Sequence, residues 1–141
     1  MTAIVEELTL ATPPQRVFSA ITQQDEIVQW WAYEARVKPE VGSVGEFHFR
    51  QGAFVMQLEV AELDQDKKVR WISRQVPPQW AGTGVTWQLT PVRNGTKLLL
   101  THDGFAQVDE QAGRAWVYFL ASLKSYLETG KGTPGTPPGF K

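Results

Sequence analysis

With 141 residues, 14 basic and 15 acidic side chains, the chain is long enough for one domain with a core and shows no basic stripe for nucleic acid. It has no cysteine and only two distant histidines, which excludes disulfides, thiol chemistry and the usual metal-ligand clusters. Its N-terminus carries acids where a signal peptide carries bases, and no apolar run approaches the roughly 18 residues of a membrane span. We therefore expect a soluble cytoplasmic protein.

The first thirty residues predict one strand and two short helices. Residues 3–11 alternate apolar and polar side chains, as a strand with one buried face does. Thr12 is suited to be the N-cap of a helix, with Pro13 at its first position and Gln15 completing a capping box. A second helix in QQDEIVQWWA is capped by Asp25 and brings its two tryptophans near one face.

The middle of the chain predicts a series of strands. The stretches GEFHFRQ, AFVMQLEVAEL, KKVRWISR, TGVTWQLT and TKLLLTH each alternate with the period of two that a strand requires. Asn94-Gly95 predicts a tight type I′ turn, because that turn needs positive φ at both central residues. Since the connections all have the length of hairpins, we expect an antiparallel sheet of about seven strands.

The C-terminal part of the chain predicts one long helix and a tail. Apolar residues recur at helical spacing over residues 110–128, with Asp109 as a fair N-cap and Gly130 as a C-terminal stop. This helix is long enough to cover the apolar face of the sheet, which makes the fold α+β. We assign residues 1–129 to a single domain and residues 130–141, rich in Gly and Pro, to a loosely ordered tail.

This layout resembles the helix-grip fold of the START-like (SRPBCC) superfamily. TPPQRVFSAIT, EIVQWWA, GEFHFR, GTKLLLTHDGF and WVYFLASLKSYLETGKG resemble the subfamily related to the activator of the heat shock protein 90 ATPase, from residue 3 to about residue 133. The resemblance implies a curved antiparallel sheet that wraps the long helix and encloses a cavity for a lipid-, sterol- or polyketide-like ligand. It also implies two alternatives: a polyketide cyclase or hydrolase, and a stress-response co-chaperone module that stimulates a chaperone ATPase. It implies no cofactor.

Inward-facing side chains form the candidate ligand site. An empty apolar void costs about 24 cal/mol per Å³ in engineered cores, so either aromatic rings fill the space between sheet and helix or a ligand occupies it. Phe54 shares the parity of this inward set. We expect a small apolar ligand to contact Trp30, Phe47, Phe49, Met56, Leu58, Trp71, Val85, Trp87, His102, Trp116, Phe119, Leu120 and Leu123.

The adjacent tryptophans Trp30 and Trp31 are expected to have separate roles. One anchors the second helix in the core, and the other lies at the cavity mouth as a gate or as a contact for a partner. A protein partner or a second copy of the chain would use this tryptophan edge or the outer face of the sheet. The candidates for holding a polar ligand head group are Arg36, Arg50, Arg74 and Arg114.

His102 ends a strand on the same face as Leu98 and Leu100, so it points inward. Partial burial there favours the neutral imidazole. Such a histidine either bonds to backbone at the strand end, contacts a ligand, or acts as an acid or base; Asp103 should point to the other face, so no second catalytic group can be named. His48 has outward parity and is expected to be exposed. The sequence thus favours a binding protein over an enzyme.

Overall fold

The protein consists of one antiparallel sheet and three helices. We describe it from a computed structural model, in residues 2–49, 55–74, 80–105 and 110–135. The elements in chain order are β1 (Thr2–Leu10), α1 (Pro14–Thr22), α2 (Gln24–Trp30), β2 (Glu34–Arg36), β3 (Val44–His48), β4 (Val55–Asp64), β5 (Lys68–Ser73), β6 (Gly84–Val92), β7 (Gly95–Phe105) and α3 (Glu110–Thr129). No helix in these ranges is both long and apolar enough to cross a membrane.

The sheet has seven strands in the order β1-β7-β6-β5-β4-β3-β2, and every neighbouring pair is antiparallel. This confirms the predicted α+β helix-grip arrangement, with two short helices after the first strand and a long helix at the end. The strand that the sequence did not locate is β2. Its three residues bury only Ala35, and so short a segment has no alternation to detect.

Alternating burial along the strands defines the inner face of the sheet. Every second residue is buried in β4, β5 and β7 over most of their length. In register across the sheet, Trp71 of β5 lies opposite Val85 of β6, which lies opposite His102 of β7. The buried face of α3 supplies Trp116, Phe119, Leu120 and Leu123 to the same core. The core therefore lies between the inner face of the sheet and α3.

The turn between β6 and β7 differs from the prediction by one position. Val92 pairs with Gly95, so Arg93 and Asn94 form the two-residue loop. Only Asn94 of the predicted pair has a positive φ, 66°, whereas a type I′ turn needs it at both loop positions. Gly95 instead begins β7, where a Cβ would collide with the carbonyl oxygen of Leu10. The glycine is required by the close approach of the chain after β1, not by the turn.

The starts of the first two helices also differ from the prediction. Pro13 is the N-cap of α1, Pro14 is its first residue, and no side chain caps it. Thr12 is buried, and its carbonyl accepts a 2.6 Å hydrogen bond from the Thr96 hydroxyl on β7, so it serves tertiary packing instead of a cap. In α2 the N-cap is Gln23, and Asp25 lies within the first turn. The proposed cap Asp109 of α3 lies outside the described residues.

Gly130 ends α3 as predicted, with φ 87° and its N–H donating to the Tyr126 carbonyl. Residues 131–135, which belong to the tail expected to be loosely ordered, make specific hydrogen bonds, and we name them the C-terminal strap. The Thr133 N–H donates to Ser122 Oγ at 2.7 Å, and the Gly135 N–H donates to the Trp31 carbonyl at 2.9 Å. The strap thus joins α3 to the end of α2 through backbone hydrogen bonds that composition alone does not reveal.

Candidate functional site

All six tryptophans of the chain belong to one buried aromatic cluster at the core. Trp31 lies at its centre, with ring centroids 5.0 Å from Phe47, 5.1 Å from Phe49 and 5.4 Å from Trp71. It also contacts Trp116 at 5.9 Å. The sequence placed one of the two adjacent tryptophans at a cavity mouth or partner edge, and this is wrong: Trp30 and Trp31 are both 0% exposed. The exposed edge that they were expected to form does not exist.

Five of the six indoles stack on a neighbouring indole at a small angle, including Trp30 at 22° to Trp31. The Trp31 ring is inclined by only 16° to Trp71 and by 17° to Trp116, so it stacks on both rings. Trp80 continues the series at 22° and 6.2 Å from Trp116. Centroid separations of this size with small angles are offset-stacked contacts, a favourable arrangement of aromatic rings. The Trp31 side chain thus occupies a space that is suited to a flat ring of indole size.

The end of α2 positions Trp31. The Trp31 N–H donates to the Ile27 carbonyl at 2.9 Å, and the Ala32 N–H donates to the same carbonyl at 3.3 Å. One residue earlier, the Trp30 indole N–H donates to the Ala20 carbonyl of α1, and the Trp30 carbonyl accepts from Ser122 of α3. Trp30 is therefore anchored through both its side chain and its backbone, which confirms that one tryptophan of the pair fixes α2 to the core.

His102 takes part in a continuous chain of hydrogen bonds. The Trp116 indole N–H donates to His102 Nδ1 at 3.0 Å. His102 Nε2 lies 2.8 Å from Thr83 Oγ1, and the Thr83 hydroxyl donates to the Trp80 carbonyl at 2.6 Å. Because Nδ1 accepts and the Thr83 proton is already given to a carbonyl, Nε2 must carry the imidazole proton. The structure therefore selects the neutral Nε2–H tautomer.

These hydrogen bonds determine what His102 can do chemically. Both ring nitrogens are engaged with protein groups, and the residue is 0% exposed. A base needs a free lone pair, and here Nδ1 is already an acceptor for Trp116. Asp103 points to the outer face as expected, 3.5 Å from Arg70. The hydrogen bonds described for His102 go to the side chains of Trp116 and Thr83, and it is Thr83 that bonds onward to a backbone carbonyl.

Among the residues that the structure describes, three other buried side-chain polar atoms make no hydrogen bond: Trp31 Nε1, Trp87 Nε1 and Ser73 Oγ. Trp87 is 0% exposed, and its ring lies edge-on to Trp71 and to Trp116 at 5.6 and 5.7 Å. A buried donor without a partner costs about 1–3 kcal/mol. Such groups are rare in native proteins, and each one calls for an explanation.

Charged side chains contribute nothing to this cluster in the part of the chain that the structure describes. Arg36, Arg74 and Arg114 are exposed, and Arg74 pairs with Glu59 at 2.7 Å on the outer face. Arg50, like Phe54, lies outside the described residues. His48 is half-buried, 3.6 Å from Glu46. Within residues 2–49, 55–74, 80–105 and 110–135, no three His, Asp or Glu side chains are grouped to hold a metal ion.

A separate polar cluster joins the three helices at the surface. Arg16 of α1 pairs with Glu26 of α2, and the Tyr126 hydroxyl of α3 donates to Glu26 at 2.9 Å. Burial raises the pKa of Tyr126 above its ordinary value near 10, against the opposing effect of the hydrogen bond from Arg16. The bond to Tyr126 in turn raises the pKa of Arg16. This cluster fastens the helices together.

The structure brings all thirteen sequence-predicted site residues into one core, none more than 5% exposed. Their contact with a ligand stays a prediction. Sequence reasoning missed Trp31 as the centre and Trp80 as a member. The ring of Trp80 lies 4.5 Å from that of His102, but in the sequence Trp80 follows the stretch QVPPQ, which has no periodicity, so no pattern indicated its direction. The helical spacing of Trp31 from Ile27 was the available signal for its burial.

Comparison with known proteins gives a consistent result. The family model described as Activator of Hsp90 ATPase homolog 1-like protein matches residues 11–128. The Aha1 dimer from Colwellia psychrerythraea is 29% identical, with a TM-score of 0.84 over 94% of this chain and 100% of that chain. Protein MLL2253 from Mesorhizobium loti is 26% identical, with a TM-score of 0.79 over 90% and 97%. DynU16, from the dynemicin biosynthetic locus, shares the fold at 22% identity, with a TM-score of 0.78 over 92% of this chain and 48% of its own. No curated protein matches the chain.

Proposed function

The chain belongs to the family of Activator of Hsp90 ATPase homolog 1-like proteins, and on that basis we propose that it binds a small apolar or amphipathic molecule between the sheet and α3. This fold commonly binds hydrophobic ligands. The proposed ligand is lipid-, sterol- or polyketide-like, and the proposed place of action is the cytoplasm. The thirteen core residues named from the sequence would form the walls of the site.

The observation that carries this proposal is the set of unpartnered polar atoms in the aromatic core. Trp31 Nε1, Trp87 Nε1 and Ser73 Oγ are buried without partners, although the nearby indoles of Trp30 and Trp116 both have acceptors. An apolar molecule carrying one or two acceptor atoms would satisfy these groups while its body contacts aromatic rings. Binding sites for small molecules combine apolar walls with a few polar groups in this way.

Catalysis is the less supported alternative. The polyketide cyclase or hydrolase hypothesis needs a free acid or base, and His102 has both ring nitrogens engaged by Trp116 and Thr83. An aligned nucleophile and base are also lacking among the described buried residues, whose polar members other than His102 are all Ser or Thr. We therefore propose binding without turnover.

Mass spectrometry of the gently purified protein tests this function directly. A small molecule that appears at stoichiometric mass under native conditions and separates on denaturation would establish the site and the ligand class. Trp71→Ala, which removes a wall of the site, should lose the molecule. Phe18→Ala is the matched control because Phe18 is buried in the core at α1 without belonging to the aromatic cluster. Retention of the molecule by both Trp71→Ala and Phe18→Ala would refute binding at this site.

A co-chaperone role is a second candidate, favoured by the family to which the chain belongs and by the 29% identical Aha1 structure. The partner surface would be the outer face of the sheet, since Trp30 and Trp31 are buried. The dimeric state of the Colwellia protein also makes a homodimer a candidate assembly. Stimulation of a chaperone ATPase by the purified protein would support this role, and unchanged ATPase rates at saturating protein would exclude it.

A further inference from the structure

We infer that Trp31 is a displaceable occupant of the candidate site: a neutral, planar bicyclic ring with a hydrogen-bond acceptor takes its place between Trp71 and Trp116, and the C-terminal strap holds Trp31 inside until it does. This inference rests on the proposed function and adds to it the shape of the ligand and the way the site opens. It follows from three features: the stacking of Trp31 on Trp71 and Trp116, the indole N–H groups that have no partner, and the hydrogen bonds of the strap to the end of α2.

The slot is the space that the Trp31 side chain fills. Its walls are the parallel rings of Trp71 and Trp116, inclined by 16° and 17° to Trp31. Phe49 and Phe119 also border it, with rings that meet Trp31 edge-on at 78° and 89°. Parallel walls with edge-on rings at the side fit a flat molecule of indole size. A flexible acyl chain would leave such walls incompletely covered.

The polar groups at the slot favour exchange of Trp31 for a ligand. In the described conformation Trp31 Nε1 has no partner, and it would gain water on leaving the core. Trp87, edge-on to both walls, also has an unpartnered Nε1, which an acceptor on the incoming ring would satisfy. Trp30 is the opposite case, because its indole N–H already bonds to the Ala20 carbonyl. Of the two adjacent tryptophans, Trp31 is the one that moves.

The occupant that fits is uncharged. No Asp, Glu, Lys or Arg is buried in the part of the chain that the structure describes. The buried imidazole of His102 is held as a neutral acceptor for Trp116 on one side and bonds to Thr83 on the other. A carboxylate or phosphate in the slot would therefore lose its hydration without gaining a counter-charge. A ketone, lactone or ether oxygen meets no such penalty.

The strap restrains Trp31 through the backbone. Gly135 donates to the Trp31 carbonyl at 2.9 Å, and Thr133 is tied to Ser122, whose hydroxyl donates to the Trp30 carbonyl at 2.7 Å. Gly132 lies so close that an added Cβ would be 2.9 Å from the Trp30 Cα. One hydroxyl, that of Ser122, thus couples the strap to the end of α2. Loosening this contact increases the fraction of molecules in which Trp31 can leave the core. The apparent affinity for the ligand rises with that fraction.

The test follows Trp31 in the full chain labelled with 5-fluorotryptophan, with the six fluorine resonances assigned by single Trp→Phe variants. The probe is 1-indanone, a bicyclic ketone of indole size, and its matched control is indane, which lacks the oxygen. We expect 1-indanone to bind about tenfold more tightly than indane, the equivalent of one net hydrogen bond. At saturation the Trp31 resonance should gain the solvent-isotope shift of an exposed indole, while the Trp71 and Trp116 resonances stay buried.

The role of the strap is tested by Ser122→Ala, which should bind 1-indanone about fivefold to tenfold more tightly than the wild type. Thr22→Val is the control, because the Thr22 hydroxyl makes a similar buried bond to the Phe18 carbonyl within α1 and does not touch the strap. Its affinity should stay within about twofold of the wild type. Equal affinities of Ser122→Ala and the wild type would overturn the role of the strap.

The outcomes separate this inference from the proposed function. Binding of 1-indanone, or of a co-purified molecule, with the Trp31 resonance still buried would overturn displacement and leave ligand binding intact. Binding of laurate in preference to 1-indanone would overturn the planar, neutral class while supporting an apolar site. Failure of 1-indanone to bind either the wild type or Ser122→Ala at millimolar concentration would overturn the inference, and mass spectrometry of the purified protein then decides the proposed function by itself.

Discussion

Two neighbouring regions of the aromatic core handle buried polar groups in opposite ways. Around His102, the Trp116 N–H, both imidazole nitrogens and the Thr83 hydroxyl each have a partner, and the chain ends on a backbone carbonyl. Around Trp31, two indole N–H groups have none. The comparison separates polar groups that are satisfied within the fold from polar groups that have no protein partner. The histidine, the more obvious functional candidate in the sequence, belongs to the satisfied region.

The largest expected effect comes from the satisfied region. His102→Ala should lower the free energy of unfolding by about 3–5 kcal/mol, because it leaves a cavity and a buried indole donor without its acceptor. Chemical denaturation measures this directly. His48→Ala is the control, since His48 lies on the outer face and its removal should change stability by less than about 0.5 kcal/mol. Equal effects at the two positions would mean that the hydrogen bonds linking Trp116, His102 and Thr83 do not stabilise the fold.

The same substitution on each side of the comparison tests it most sharply. Trp116→Phe and Trp87→Phe remove equally buried indoles from one cluster, but only Trp116 donates to a protein acceptor. Trp116→Phe should therefore lower the free energy of unfolding by about 1–2 kcal/mol more than Trp87→Phe does, because it also leaves His102 Nδ1 without its hydrogen-bond donor. The midpoints of urea unfolding give the difference. Equal losses would show that the Trp87 N–H is satisfied in solution by a group such as water.

A third prediction concerns the strap beside the unsatisfied region. Gly135 has φ 105°, and an added Cβ would lie 2.7 Å from the Tyr33 ring, so Gly135→Ala should cost about 1–2 kcal/mol. Gly113→Ala is the control in α3: nothing lies near its added Cβ, and it should stabilise by about 0.5–1 kcal/mol. Limited proteolysis at the C-terminus should accelerate only for Gly135→Ala. Unchanged cleavage would mean that the strap is not held by this glycine.

The smallest effect is a pH dependence outside both regions. The pKa of Tyr126 is raised in the folded protein, so the folded state keeps the phenol proton more tightly than the unfolded state. Its contribution is complete below pH about 10 and is lost as the pH rises through the folded pKa. Tyr126→Phe should therefore flatten the fall in unfolding free energy above pH about 10. At neutral pH the two proteins should differ only by the bonds to Glu26 and Arg16, and parallel curves above pH about 10 would contradict the shift.

Periodicity predicted the fold, because each strand from β3 to β7 buries one face and α3 buries a stripe. It also placed His102 inward and Asp103 outward, since parity alone decides those directions. The spacing of Trp31 from Ile27 was compatible with burial but could not place Trp31 at the centre of the cluster, because packing against Phe47, Trp71 and Trp116 decides that position. The same limit applies to Gly135 and Gly95. Their roles arise from backbone approaches between segments far apart in the chain.

The concentration of all six tryptophans in one cluster has a spectroscopic consequence. Neighbouring indoles lie 5.4–6.2 Å apart, a range at which excitation energy passes between rings faster than any one of them emits. Ultraviolet emission therefore belongs to the cluster as a whole. A change at a single ring, such as one indole entering water, therefore alters the fluorescence lifetime and emission wavelength of the whole cluster. The intrinsic fluorescence of the unlabelled protein thus reports on changes in the core.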